Sequence, residues 1–354
     1  IAEMLAIIKK LLKLGHAYKV AEHNAPPPPL NLRGGDLPQA NGGVTEGHSI
    51  YYDLSTFPNY GKLSGNKVDD LIAGARVDVI HEKRNPYDFA LWIYKPSHVL
   101  QWPAPWGAGY PGWHLECSAM AMKYLGATID IHTGGEDNKF PHHECEIAQS
   151  EGATRKSFVR TWLHVKHLLV DGKKMSKSLG NFYTLKDILQ KGFSPRAIRY
   201  LLISTHYRDM FNFTLDGLTG AEGALKRVDE LVGKLSSISR APSPGLRPPS
   251  PRGRGEGEGV RKLVAKARRD FVSAMDDDLN VSKALGVLFE FVHAMNLAMG
   301  KGIAPSDRRA ALKLLKEFDA VLGIGILGKK QTAIPSEVMD LVAQREEARQ
   351  AKNW

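Results

Sequence analysis

Two short stretches of this chain carry most of its chemical content. In FPHHECEIAQS, His142 and Glu146 stand four residues apart. Residues so spaced share a helix face, so an imidazole and a carboxylate can reach one ion. Cys117, in GYPGWHLECSAM on the preceding helix, can add a thiolate, and a mixed S, N, O donor set suits zinc. His143 and Cys145 are rival ligands on the same helix, and a buried cysteine is commonly no more than a small core hydrophobe. The second stretch is KKMSKS, from Lys173 to Ser178, with three lysines and two hydroxyls, followed by Gly180 and Asn181. A loop of that composition can set ammonium groups on a triphosphate while N–H groups and hydroxyls fill in around them.

These side chains need elements to position them. GWHLECSAMAMKYLG reads as a helix closed by Gly126, and ATIDIHTGG as a buried strand running into a glycine loop. FPHHECEIAQSEG starts a helix with Pro141 at its first position. Such βα alternation predicts a parallel, doubly wound sheet. Upstream, Ile1, Leu5, Ile8 and Leu12 share one face of an opening helix that Gly15 can cap. GHAYKV is strand-like, and Ile50, Tyr51 and Tyr52 have strand propensity. A short helix is expected from Val68 to Gly74, then a β-rich ARVDVI and a loop, HEKRNPYDFALW. WLHVKHLLVDGKKMSKSLGN reads as a strand pair, or a strand and loop, ending in the basic turn. From Ser194 the pattern is helical, with Leu279, Leu285, Leu288 and Val292 as a core stripe and Asp276 to Asp278 as a helix-start and turn signal. Two tracts break it, Glu22 to Gly43 with four consecutive prolines and Ser239 to Gly259; their composition is that of unpacked chain.

Composition sets the outer bounds. With 354 residues and 43% hydrophobic content, two or three domains can form cores. Two cysteines argue against a disulfide framework and for a reducing, cytoplasmic setting. A formal charge of +10 suits a polyanionic partner, and no run of eighteen apolar residues predicts a membrane span. The chain opens mid-helix at Ile1 with no initiator, as a fragment would.

KMSKS reproduces, letter for letter, the second signature of class I aminoacyl-tRNA synthetases. GWHLECSAM, DIH and FPHHECEIAQSE closely resemble the zinc-bearing segments of the cysteinyl-tRNA synthetase family. FSPRAIRYLLISTHYRDMFNFT resembles that family's link to its helical domain, and FVSAMDDDLNVSKALGVLFEFV its anticodon-binding bundle. The resemblance implies an α/β fold: a Rossmann-type doubly wound parallel sheet over residues 1–165, with 22–43 inserted, whose N-terminal part is missing. A KMSKS loop and connecting segment would follow at 166–215. An α-helical bundle would fill 216–354, with 239–259 inserted, short at its C-terminus.

It implies, too, a cytoplasmic monomer without a membrane that activates L-cysteine using ATP and Mg2+ and passes it to tRNA-Cys. Zn2+ would sit on Cys117, His142 and Glu146, its fourth ligand being an upstream Cys beside a HIGH motif that this sequence does not contain. Lys177 is the lysine expected on the ATP phosphates with Lys174 in support, and Met175, Ser176, Ser178, Gly135 and Asp137 complete the ATP contacts. Gly134 and Gly135 allow close backbone approach, and Thr133 stands where the family usually has Gly. Trp113 would wall the amino-acid pocket, although on the residues alone it is equally a core aromatic. Zinc gives such an enzyme its selectivity. A hydrophobic pocket separates substrates differing by one small group only ~10–200-fold, whereas a metal binds the thiolate in a way serine cannot imitate, so no editing domain is expected. Two other readings are open: a cysteine ligase of mycothiol synthesis, built on the same zinc site, and an inactive tRNA-binding remnant lacking the HIGH segment.

Overall fold

Helix α1 (Ala2–Leu14) buries Ile8 and Leu11 and stops at Gly15, whose φ of 79° is open to glycine at no steric cost. The computed structural model describes residues 1–24, 45–66, 82–96, 98–237, 256–328 and 336–351. They fall into two units, Ile1–His167 and Leu168–Trp354.

In the first unit, β1 (Ala17–Asn24), β2 (Thr45–Tyr52), β3 (Phe89–Tyr94) and β4 (Gly109–Pro111) make an antiparallel sheet in chain order. Its strands are rich in β-branched and aromatic residues, and Ile50, Tyr52, Leu91 and Trp92 are buried with Trp106 edge-on to Trp92. Two expectations change here. FALWIY is a strand rather than the end of a loop, its apolar and aromatic run outweighing the polar residues before it. Glu22, His23 and Asn24 continue β1 and are not part of a loose tract. The rest of that tract, and the expected helix and β-rich stretch from Val68 to Ile80, lie outside the described residues.

Helix α2 (Trp113–Leu125) ends at Gly126 as read from the sequence, and packs on α3 (His142–Thr154). Strand β5 (Ile129–Gly135) enters α3 through a 3₁₀ turn at Glu136–Lys139, and β6 (Val159–Val165) returns parallel to β5, closing a βαβ unit. β5 is not the buried strand expected. Only Ile129 is buried and Ile131 is 63% exposed, because among the described residues β6 is its one neighbour. Pro141 is the residue before α3, in the N-cap position, and not its first residue.

In the second unit, β7 (Leu168–Val170) and β8 (Lys173–Lys174) form a hairpin whose two turn residues, Asp171 and Gly172, have φ of 49° and 72°. Positive φ at both positions is what a two-residue hairpin turn requires, hence Asp-Gly. A capping box of Thr184 and Asp187 opens α4 (Leu185–Gln190), and Ser194 caps α5 (Pro195–Ile203). Strand β9 (Phe211–Phe213) lies parallel to β7.

Helices α6 (Leu215–Ser237), α7 (Glu256–Asp276), α8 (Val281–Lys301), α9 (Pro305–Leu322) and α10 (Ser336–Gln350) follow. Val228, Leu231, Phe271, Leu288, Leu314 and Phe318 are among the residues of the bundle core, Phe271 and Phe318 stacking at 4.1 Å. Leu285, Leu288 and Val292 are buried as the stripe predicts. Leu279 is not: it is 46% exposed in the turn before α8, with φ of 55°. Asp276 ends α7, and the cap of α8 is Asn280, whose side chain accepts from the Lys283 N–H. Glu256 to Gly259, read as loose chain, form the first turn of α7, and the remainder of that tract lies outside the described residues. Among the described helices, α8 alone is long and apolar enough to cross a membrane, and its apolar face is the one buried in the bundle.

Candidate functional site

Helix α3 has an unusual sequence for its surroundings. From His142 to Ala153 every residue except Glu151 is buried, yet most of them are polar. A buried polar group without a partner is costly, so each of these must be satisfied locally. Glu144 accepts the backbone N–H groups of Gly61, Leu63 and Ser64. Gln149 donates to the His114 carbonyl and to Ser118 Oγ, which also takes the Ser150 hydroxyl. Tyr52 donates to the Ala148 carbonyl, and Gly152 gives that tyrosine room: a Cβ there would lie 2.8 Å from its hydroxyl. The helix is thus held against α1 and α2 and tied to the antiparallel sheet through Tyr52, and its first turn faces a cluster of rings.

That cluster holds the sulfur, imidazole and carboxylate expected from sequence. The ligand atoms of Cys117, His142 and Glu146 all lie within 4.8 Å of one another. His142 Nε2 is 3.0 Å from Glu146 Oε1, while its Nδ1 is 2.8 Å from His114 Nδ1. Glu146 is wholly buried; its other oxygen is 3.0 Å from His132 Nε2, but neither oxygen has a hydrogen bond of good geometry. A buried carboxylate facing two imidazoles and a thiol without a well-aligned donor is the arrangement of a cation site, and the S, N, O set fits zinc. Burial alone would push the Glu146 carboxyl up, but the His132 and His142 imidazoles close against its oxygens outweigh it and hold it at about 2. Hydrogen bonding to Cys117 and then Glu146 raises His142 to about 9 against the effect of burial. Desolvation, helped by the charge of His142, lowers His114 to about 4.

The rival ligands separate. Cys145 belongs to neither donor group among the described residues. Its sulfur is 3.3 Å from the Tyr60 hydroxyl, and burial pushes its thiol up, away from the thiolate a metal needs. His143 turns to the other side, where with His132 it forms a second group around Glu146. Its Nδ1 is 2.8 Å from His164 Nε2, and burial lowers it to about 4. The partners His114, His132 and His164 were not singled out from sequence. The one signal for them is a histidine inside each of the helix, strand and strand that flank α3.

Trp113 is not a core aromatic. It is 69% exposed, its ring 4.9 Å from that of His142 and 5.5 Å from that of His114, so it stands over the donor cluster. Gly134 and Gly135 make room for the chain's own side chains: a Cβ on Gly134 would meet His143 at 2.6 Å, and one on Gly135 would press on the Asp137 carboxylate. Asp137 is exposed in the 3₁₀ turn, next to Glu136, which pairs with Lys166 at 2.6 Å.

The basic turn belongs to the second unit. Lys173 and Lys174 are exposed on β8, and Lys177 reaches solvent with its Nζ 5.8 Å from the Phe182 ring centre. Met175 turns inward, lining an apolar cavity of about 310 Å³. Ser176 and Ser178 hydroxyls are 3.2 Å apart.

Residues 1–223 match the family described as tRNA synthetases class I (C) catalytic domain, and residues 270–327 match the DALR domain. Cysteine--tRNA ligase of Protochlamydia amoebophila is 44% identical over 313 residues, covering 86% of this chain and 63% of that protein. Those of Symbiobacterium thermophilum and Chlamydia abortus are 40% and 42% identical over all of this chain, covering 69% and 68% of their own length. The chain thus spans between 63% and 69% of these relatives. Its fold is similar to that of Mycobacterium tuberculosis methionyl-tRNA synthetase in complex with methionyl-adenylate, with a TM-score of 0.52 at 15% identity, over 91% of this chain and 70% of that one. A second structure of that synthetase, bound by methionyl-adenylate, gives 0.53 at 14%, over 92% and 72%. At such identities the likeness concerns the fold alone.

Proposed function

Since the chain belongs to the class I cysteinyl-tRNA synthetase family, we propose that it carries the cysteine-selecting and lysine-loop parts of an enzyme that forms cysteinyl-adenylate from L-cysteine and ATP and transfers the cysteine to tRNA-Cys. The observation that carries this reading is the convergence of Cys117, partly buried, with the buried His142 and Glu146 beneath an exposed Trp113. A zinc ion held by those three would lower the pKa of a substrate thiol and bind the resulting thiolate, a distinction that serine's hydroxyl cannot share.

The chain's own groups do the rest. Trp113 walls the amino-acid pocket and keeps water from the donor cluster. Asp137 accepts from the ribose of ATP, and the backbone at Gly135 passes close to the nucleotide. The cysteine carboxylate attacks the α-phosphorus, the bond to the bridging oxygen breaks, and pyrophosphate leaves. Lys177, with Lys174, stabilises the charge that builds on that leaving group, as Mg2+ bound with ATP would on the phosphates, while Met175, Ser176 and Ser178 shape the turn around it. The helical unit, part of which matches the DALR domain, serves tRNA, and its presence speaks against a cysteine ligase with a small sugar acceptor. The enzyme works in the cytoplasm, where tRNA and ATP meet.

Cysteine-dependent exchange of pyrophosphate into ATP, run with zinc and with serine as competitor, tests the reading. Exchange with cysteine and none with serine is expected. Binding of tRNA-Cys without any exchange would replace it by the tRNA-binding remnant.

A further inference from the structure

Three like charges crowd the basic turn, and nothing in a string of lysines and serines explains why it holds one shape. Lys173, Lys174 and Lys177 repel one another, which favours an open chain. Inside the turn the backbone does little: the Leu179 N–H reaches Ser176 Oγ at 3.3 Å and the Gly180 N–H reaches the Lys177 carbonyl at 3.2 Å. The tie comes from outside it. Gly180, at φ of 65°, bends the chain back so that the Asn181 amide lies against the start of the turn. Asn181 Oδ1 accepts the Ser176 N–H at 2.9 Å, and Nδ2 donates to the Lys174 carbonyl at 3.1 Å. A longer contact, 3.5 Å, reaches the Val170 carbonyl in β7. An N–H needs an acceptor and a carbonyl needs a donor, so only the amide, in this one orientation, satisfies both sides.

The two bonds bracket Met175. With Lys174 and Ser176 held by the same side chain, Met175 is directed into the apolar cavity beside Val170, Tyr183, Ile188 and Phe213. Polar tie and apolar anchor therefore act on adjacent residues, and the lysine two places on inherits its position from them.

We infer that Asn181 is a positioning residue for the lysine turn. Its amide holds Lys174 and Ser176 together, and thereby keeps Lys177 in the conformation from which it acts, without itself touching a substrate. This rests on the role given above to Lys177, but the tie can be measured separately.

Trypsin cuts an exposed lysine only when the local chain opens into its cleft, so cutting at Lys173, Lys174 and Lys177 reports how often the turn is untied. In the full chain, Asn181→Ala should raise cutting there about tenfold, the effect of losing hydrogen bonds of ordinary net strength. Asn181→Asp keeps the acceptor for Ser176 but loses the donor to Lys174, and should raise it by about threefold. Cutting at Lys226, in α6, should not change. Cysteine-dependent exchange should fall about tenfold in kcat for Asn181→Ala, with the KM for cysteine unmoved and partial rescue in Asn181→Asp. Equal cutting of parent and Asn181→Ala at the turn overturns the tie. Faster cutting with unaltered kcat overturns the positioning role. Should the parent show no exchange, the proposed activity fails while the cutting pattern still decides whether Asn181 holds the turn. Should Lys226 become equally sensitive in Asn181→Ala, that variant has opened globally, and the isosteric Asn181→Asp decides.

Discussion

The Nδ1 atoms of His114 and His142 lie 2.8 Å apart. One of the two must carry the proton and the other must accept it. If His142 presents its Nε2 lone pair to an ion beside Glu146, its proton sits on Nδ1 and points at His114, which then carries its own on Nε2. The tautomers of the two rings are thereby interlocked. His114→Phe keeps the ring and removes the acceptor, and should weaken zinc binding ~10–100-fold in competition with a chelator. Unchanged affinity would mean that the contact orients nothing.

The two cysteines should part company. Cys117→Ala is expected to abolish stoichiometric zinc, measured by metal content after dialysis. Cys145→Ala, which removes a sulfur paired with Tyr60 and belonging to neither donor group, should leave the metal in place. Full zinc in the first variant and none in the second would reverse the assignment.

Lys177 should act on rate. A charge that matters chiefly as the phosphate bond breaks changes kcat, whereas uniform binding changes KM. Lys177→Ala should slow adenylate formation by roughly 10²–10³-fold, the usual scale for losing one such group. The dissociation constant for cysteine should move little. Lys173→Ala, on the hairpin before the turn, should be much milder in the same single-turnover assay.

Glu144 is predicted to serve stability and not chemistry. Its carboxylate receives three backbone N–H groups, and Glu144→Ala leaves the buried one, from Gly61, and the two partly buried ones, from Leu63 and Ser64, without an acceptor. At ~1–3 kcal/mol for the buried group and less for the two that water can reach, a loss of about 2–3 kcal/mol is expected in urea unfolding. A change below about 1 kcal/mol would show that the turn finds other partners.

Much of the donor set was legible in the sequence because its defining pair is local. His142 and Glu146 meet through helix geometry, and the helix announces itself by Pro141 and its length. The partners that surround them are not local: His114 is 28 residues from His142, and only the packing of α2 on α3 and the path of β5 bring His114 and His132 in. The burial of α3 was equally hidden, since hydrophobic periodicity can reveal one apolar face but not a polar helix enclosed on every side. Leu279 was misplaced because a leucine at helical spacing looks the same whether it sits in a helix or in the turn that precedes one. The four-stranded antiparallel sheet went unread as a whole. Its individual strands have clear propensity, but the long tract between β1 and β2 hides that they pair residue for residue, from Ala17 with Tyr52 to Asn24 with Thr45.

Helix α9 buries Ala311, Leu314, Leu315, Phe318 and Leu322, and most residues between them face water. Random substitution along it should therefore meet alternating strictness and freedom, with a beat of about 3.6 residues. α3 has no such beat. With eleven of its thirteen positions enclosed, a library of single substitutions would show an almost unbroken block of intolerance from His142 to Ala153, relieved only at Glu151. Within that block, the variants that still fold but fail to hold metal would separate the donors from the residues that merely support them.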